Sequence, residues 1–443
     1  MKEFIEKNLE NIKNDLKELV SYNSVLSNDA KPFGSENRKV LDATLKMMER
    51  EGLQTKNLDY YCGYGDIGQG SDLVGITGHL DIVPVGDGWN SDPFVLTEVD
   101  GNLYGRGVSD DKGAIVCSLY ALKYLKETGF KFKKRFRLLV GCNEETGSKC
   151  MDYYCEHEEP FKMGFTPDSS FPGIYAEKGQ YGGNLVGKSK IKDIKGGIAS
   201  NIVNDKVSAK VDVKDYDLSK FKEYLDNKNI KYEVNGEDIT VYGVSAHASL
   251  PDLGINAINH LFAALDYAGF DDTYTKSMVK WIGLSTDGSL LGLNQLNDDI
   301  SSTTTSLGVI SEENGIIKCS LDIRFPAKSK TSDVDAFFDK MNSDEFRLEN
   351  VKRVNPLYYD VNSNWIQALK KSYVSVTGDD KSDLKCIGGG TYAKHLKNII
   401  AFGCSFNYEN NHIHETNEVL AIDSLKKQIE IYVETIKNLN EVE

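Results

Sequence analysis

Histidine is scarce in this chain, with seven copies, and several of those copies keep company with acids. In "TGHLDIVPVGDGW" (77–89), His79 closes an apolar run of Leu73, Val74 and Ile76, and Asp81 follows two residues later. A metal-bound imidazole ordinarily gives its second ring N–H to a carboxylate or carbonyl, and that bond fixes its tautomer. "LYGRGVSDDKG" (103–113) sets Asp110 beside Asp111 where a helix begins near Lys112, among three glycines. One acid there can cap the helix; two, with a backbone free to bend, suit the presentation of a carboxylate. "CNEETGS" (142–148) places Glu144 and Glu145 just after another apolar run. Adjacent side chains of an extended segment point opposite ways, so one can bind metal while the other reaches a bound water. Asp168 in "TPDSSFPG" (166–173), and His412 and His414 in "NNHIHETNE" (410–418), complete the set. At strand spacing the two histidines share a face, and spacing does not choose between them.

Each feature alone has a plainer reading: a polar strand end, a helix cap, a polar loop. Three polar clusters, each at an element boundary, argue against coincidence. Histidines and carboxylates without a cysteine at ligand-like spacing fit zinc, and manganese or cobalt fits the same donors. Two ions about 3.5–4 Å apart need one bridging carboxylate and two outer ligands each. His79, Asp110, Glu145, Asp168 and His414 supply that number.

The elements that must hold these residues can be read from periodicity. Ile5, Leu9, Ile12, Leu16 and Leu19 mark an amphipathic helix, and Val40 or Leu41 with Leu45 and Met48 mark another, ended by Gly52. Residues 73–78 read as a buried strand; Ile115, Leu119, Leu122 and Leu125 as a helix stopped by Gly129; "FRLLVGC" (136–142) as a second strand. This alternation predicts an α/β domain with a mostly parallel sheet, in which ligands sit outside the carboxyl ends of the strands. From about residue 182 the pattern changes to short β-like stretches with helices, and it occurs twice. An inserted, apparently duplicated α+β domain over 182–355 is therefore expected, with 1–181 and 356–443 forming one discontinuous domain. Leu425, Ile429, Tyr432, Ile436 and Leu439 mark the final helix.

Composition excludes several classes. At 443 residues the chain exceeds one usual core. A formal charge of −15 and no basic stripe argue against a nucleic-acid partner. No apolar run is long enough for a membrane span, and the acid-rich N-terminus is not a signal peptide. Eight cysteines in so long a chain do not form a disulfide scaffold, so a reduced cytoplasmic protein is expected. Cys150 and Cys155 are close in sequence but read as unpaired.

Taken in order, "GHLDIVP", "LYGRGVSDDKG", "NEETGS", "PDSSFP", "GVSAHAS", "DIRFP", "GGGTYAK" and "HETNE" resemble the dinuclear-zinc peptidases and deacylases. That family includes carnosinases, aminoacylases, carboxypeptidase G, acetylornithine deacetylase and succinyl-diaminopimelate desuccinylase; the chain looks most like its bacterial peptidase V-type dipeptidases. The resemblance runs over nearly the whole chain and implies a zinc-exopeptidase-type catalytic domain with an inserted lid. It implies that His79 and Asp168 hold one zinc, that Glu145 and His414 hold the other, and that Asp110 bridges. Asp81 would orient His79 and Glu144 would be the general base. His247 would bind the scissile carbonyl oxygen; Asn201, Arg324 and the loop of Gly389, Gly390 and Thr391 would contact the substrate. The expected reaction is hydrolysis of unblocked dipeptides. An N-acyl amino acid deacylase using the same centre is the alternative, and a non-catalytic binding protein is a third reading that the intact base and ligands oppose. Dimeric relatives can take substrate contacts from a partner's lid, so a doubled lid is compatible with a monomer.

Overall fold

His79 ends a strand buried along its whole length, and the order of its neighbours explains what gathers around it. The computed structural model describes residues 1–443. The chain folds into two units: Met1–Tyr175 with Tyr359–Lys385 and Gly390–Glu443, and Ala176–Tyr358 with Cys386–Gly389. The expected bounds are 181/182 and 355/356; here the breaks fall at 175/176 and 358/359, and Cys386–Gly389, expected in the first unit, belongs to the second.

The first unit carries strands β1 (Gln54–Leu58), β2 (Cys62–Ile67), β3 (Leu73–His79), β4 (Arg135–Gly141), β5 (Met163–Thr166) and β6 (Ile399–Ala401), ordered β1-β2-β4-β3-β5-β6. The run β4-β3-β5-β6 is parallel. β1 and β2 add an antiparallel hairpin at one edge, so the sheet is mixed around a parallel centre. The hairpin lacks the long apolar run of β3: β1 is the edge strand, and the buried β2 has glycine at 63 and 65; its turn at Asp59 and Tyr60 takes positive φ. All seven residues of β3 are buried, as a strand flanked on both sides and covered by helices must be.

Helices α1 (Lys2–Val20), α2 (Ser35–Arg50), α3 (Lys112–Glu127), α4 (Lys149–His157), α5 (Asn364–Thr377) and α6 (Ile422–Glu441) cover this sheet. α3 packs on β3, α1 and α6, and its first eleven residues are all buried. The face of α6 marked by Leu425, Ile429, Tyr432, Ile436 and Leu439 is wholly buried. Each such side chain contributes about 1.5–3 kcal/mol, an upper bound because unfolded chains already bury part of this surface.

The second unit is one antiparallel eight-stranded sheet. Its order is Tyr232–Asn235, Asp238–Tyr242, Lys206–Lys210, Lys192–Gly196, Thr304–Glu313, Ile316–Phe325, Gly179–Lys188 and Phe346–Val354. Both β-α-β-type segments of the sequence feed this one sheet. Helices Leu218–Asn227, Ala257–Tyr267, Thr273–Trp281 and Thr331–Phe338 join it in a single apolar cluster that includes Phe221, Leu261, Tyr274 and Phe338. In the "VNGED" hairpin Asn235 pairs with Asp238, so the turn residues are Gly236 and Glu237, with Gly236 at φ +65°. Where the chain leaves the first unit and re-enters it, the N–H of Tyr359 donates to the carbonyl of Tyr175 at 3.1 Å.

Candidate metal centre

Three parallel neighbours end side by side. His79 stands opposite Gly141 in the register of β3 and β4, so Glu144 and Glu145 follow just beyond β4. Asp168 comes two residues after β5. The carboxyl ends of β4, β3 and β5 thus deliver an imidazole and three acids to one place, where open α/β sheets bind ligands.

Nδ1 of His79 lies 2.9 Å from the carbonyl oxygen of Asp81. Nδ1–H donates there, which leaves Nε2 as the nitrogen that could ligate a metal. The carboxylate of Asp81 has other work: its oxygens accept the backbone N–H groups of Glu144 at 3.0 Å and Glu145 at 3.1 Å. Its nearer oxygen stands 3.7 Å from Nδ1. One residue therefore sets the imidazole through its main chain and the glutamate pair through its side chain.

Asp110 lies between the two histidines. Its Oδ1 is 2.9 Å from Nε2 of His79, and its Oδ2 is 2.9 Å from Nε2 of His414. The same His414 nitrogen is 3.1 Å from Oε1 of Glu145. Oδ2 of Asp168 is 4.0 Å from Nε2 of His79. Donor atoms of His79, Glu144 and Asp168, and separately of His79, Asp110 and Glu145, lie within 4.8 Å of one another. Asp111 occupies the N-cap position of α3 but makes no side-chain cap bond; its Oδ2 accepts the N–H of His79 at 3.2 Å. A Cβ on Gly78 would come within 2.5 Å of that oxygen, so glycine is required there.

His412 turns elsewhere, to Glu415 at 2.9 Å. The two histidines are equivalent at strand spacing, but the segment is a turn: φ is +51° at His412 and +64° at His414. His395 pairs with Asp152, and His157 stacks on Tyr153.

The electrostatics fit cation binding. Burial pushes Glu144 up to about 8, with Glu145, Asp81 and Asp110 adding to the push. Burial likewise raises Asp168 well above the carboxylate range, helped by Asp110. Burial works to raise Asp110 too, but hydrogen bonds from His414 and His79 hold it well below that range. Hydrogen bonds to Asp110 and Glu145 push His414 up to about 10. Burial opposes charge on His79, yet Asp110, Asp168 and Asp81 together raise it well above normal. More acids than imidazoles are crowded here out of water, and divalent cations relieve that imbalance. Neither donor group contains a cysteine, and this nitrogen-and-oxygen set suits zinc, manganese or cobalt.

Other predicted site residues lie in the second unit. His247 is bridged to Ile202 beside Asn201, whose carbonyl accepts the N–H of Ala248 at 2.9 Å. Nδ1 of His247 is 2.7 Å from the Ser249 hydroxyl. Arg324 grips Asp322 through two bonds of 2.7 and 2.9 Å, and its Nη1 donates to the carbonyl of Gly388 at 3.0 Å. That contact ties the arginine to the "GGGTYAK" loop directly ahead of Gly389. Gly390 and Thr391 belong to the first unit, where the Thr391 hydroxyl accepts the N–H of Ala393 at 3.2 Å.

Glu418 is a site residue that sequence reasoning does not single out, although it closes the "HETNE" motif. It is 1% exposed and accepts four hydrogen bonds from residues 106–110. One more acid in a chain of 67 acids carries no mark of its own.

Residues 75–438 match Peptidase family M20/M25/M40, and the chain belongs to that family: it is a peptidase. It is 33% identical to the putative dipeptidase YtjP of Bacillus subtilis (strain 168), with 97% of each chain covered. It is 32% identical to a putative dipeptidase of Staphylococcus haemolyticus (strain JCSC1435), with 96% of each covered. Among solved structures it is similar to human carnosine dipeptidase 1 (TM-score 0.58, 16% identity, 99% of this chain and 98% of that one). It is also similar to aminopeptidase PepT from Bacillus cereus ATCC 10987 (TM-score 0.61, 16% identity, 97% and 98%). The B. subtilis YXEP protein, described as a dinuclear metal binding peptidase of the M20 family, has a TM-score of 0.54 at 10% identity, with both chains fully covered. These structural likenesses show the shared fold. No helix is long and apolar enough to cross a membrane.

Proposed function

We propose that the protein hydrolyses unblocked dipeptides at a pair of divalent cations, zinc by preference of the donor set. The supporting observation is the position of Asp110, with one carboxylate oxygen 2.9 Å from each of two imidazoles that come from opposite ends of the chain. His79 and Asp168 would hold one cation, Glu145 and His414 the other, with Asp110 shared. Bound there, the cations supply Lewis acidity that polarises a carbonyl and acidifies water. The names of the relatives, putative dipeptidases across 96–97% of both chains, support the substrate class.

Glu144 is assigned the proton transfers. Its carboxylate takes a proton from the attacking water and passes it to the leaving amine. Asp81 fixes the backbone from which Glu144 projects. His247 is assigned the tetrahedral oxyanion, a contribution typically of about 3–4 kcal/mol. Asn201, Arg324 and the backbone N–H groups of Gly389, Gly390 and Thr391 are assigned to substrate, the loop to its C-terminal carboxylate. All eight cysteines are unpaired, which supports a reducing, cytoplasmic setting.

The test is metal analysis with a substrate panel. Chelator-stripped protein is reloaded with zinc, manganese or cobalt and offered dipeptides, tripeptides and N-acyl amino acids. Two equivalents of metal and turnover of free dipeptides are expected. Turnover of acetylornithine or succinyl-diaminopimelate, with none of free dipeptides, replaces this reading by the deacylase. A chain inactive with every metal and substrate is no enzyme of this kind.

A further inference from the structure

A carboxylate removed from water needs donors for both its oxygens. Glu418 finds all of its donors in one loop. Oε1 accepts the N–H groups of Ser109 at 2.8 Å and Asp110 at 3.0 Å; Oε2 accepts the N–H of Gly107 at 3.0 Å and Nη1 of Arg106 at 2.9 Å. Arg106 is 2% exposed and lies over the Trp89 ring, 5.2 Å from its centroid. The main chain adds two bonds, from the N–H of Gly105 to the carbonyl of Glu418 and from the Ser109 hydroxyl to the carbonyl of Val419. The loop so bound ends in Asp110, and the strap that binds it begins at His414.

We propose that Glu418 is a positioning residue for the metal centre: by fixing the backbone of residues 107–110 it holds Asp110 with one oxygen toward each imidazole. It thereby sets how tightly the cations are held. The inference rests on the two-cation reading given above. Three of the four donors are backbone groups of the segment that ends in Asp110, so slack in Glu418 becomes slack in the shared ligand. Outer partners of this kind typically change metal affinity by about 10–100-fold.

Glutamine at 418 separates this role from bulk. Glu418→Gln keeps the volume but turns one acceptor into a donor. Its remaining oxygen goes to Arg106, where the bond is charge-assisted. The amide nitrogen then faces the N–H groups of Ser109 and Asp110, and the segment bearing the shared ligand is released. Glu418→Asp keeps the charge but shortens the reach by one methylene, so it cannot serve all four donors.

The experiment titrates zinc into stripped wild-type and variant protein in competition with a chromophoric chelator, with circular dichroism to verify folding. Cobalt absorption spectra report ligand geometry. The expected result is two equivalents in the wild type, zinc affinity about 10–100-fold weaker in Glu418→Gln, and an altered cobalt spectrum. Glu418→Asp should weaken zinc by a smaller factor. A folded Glu418→Gln protein with wild-type affinity and spectrum overturns the proposal. If that variant does not fold, Glu418→Asp decides, and wild-type affinity there overturns it. A wild-type chain that takes up no zinc instead refutes the two-cation reading itself.

Discussion

Replacing Asp81 by asparagine separates two jobs performed by one residue. The main-chain carbonyl, which Asp81→Asn retains, holds Nδ1 of His79 at 2.9 Å. The carboxylate, which it loses, accepts the N–H groups of Glu144 and Glu145 at 3.0 and 3.1 Å in a position 2% exposed. Asparagine offers one acceptor for two donors. A hydrogen bond to a charged acceptor is worth about 1.5–3 kcal/mol. If that loss falls wholly on the transition state, kcat drops about 10–160-fold. The proposed base and one proposed ligand are the residues set loose, so kcat should fall with KM little changed. Zinc should weaken at the Glu145 and His414 side while the His79 and Asp168 side holds. Initial rates at saturating metal, with a two-step zinc titration, measure both. Wild-type kcat, or equal loss of zinc from both positions, refutes the division of labour.

Glu144→Ala should keep its zinc and lose at least about a hundredfold in turnover, the scale of general-base catalysis; loss of metal would make Glu144 a ligand. The stripped protein should lose stability as pH rises. Burial raises Glu144 from 4.5 to about 8, and hydrogen bonds raise His414 from 6.5 to about 10. A raised folded pKa stabilises fully below the unfolded value, here below 4.5 and 6.5, and the gain is lost through about 8 and 10. Tm measured in chelator should therefore fall across that range. Zinc, competing with those protons, should bind more tightly at higher pH and expel protons in calorimetry at pH 7. A flat or rising Tm, or no proton release, contradicts this account.

Much of the scaffold was legible because burial imposes a period. The apolar face of α6 and the run ending at His79 could be read directly, since a buried helix face and a buried strand leave little choice of residue. The antiparallel hairpin of β1 and β2 was not: β1 lies at the sheet edge, and the buried β2 carries glycine at 63 and 65, packed against Leu45 and Leu53, where an apolar run would have marked a strand. The site was legible as clusters of chemistry-bearing types, but not as bonds. Spacing leaves His412 and His414 open and only the resemblance chooses His414; the segment is a turn with positive φ at both histidines, which no period encodes. The work of Asp81 depends on which of its own groups faces which neighbour. Glu418 depends on a contact across some three hundred residues of chain, which one sequence does not reveal.

The bond between Tyr175 and Tyr359 has a consequence for the chain's modularity. The long excursion between them departs and returns through adjoining backbones, so the first unit's sheet is interrupted in sequence but not in space. Such an insertion behaves as a cassette: its length and shape can change while the ends it must join stay together. Every proposed cation ligand lies outside it, so the excursion can be remodelled without rebuilding the segments that carry those ligands.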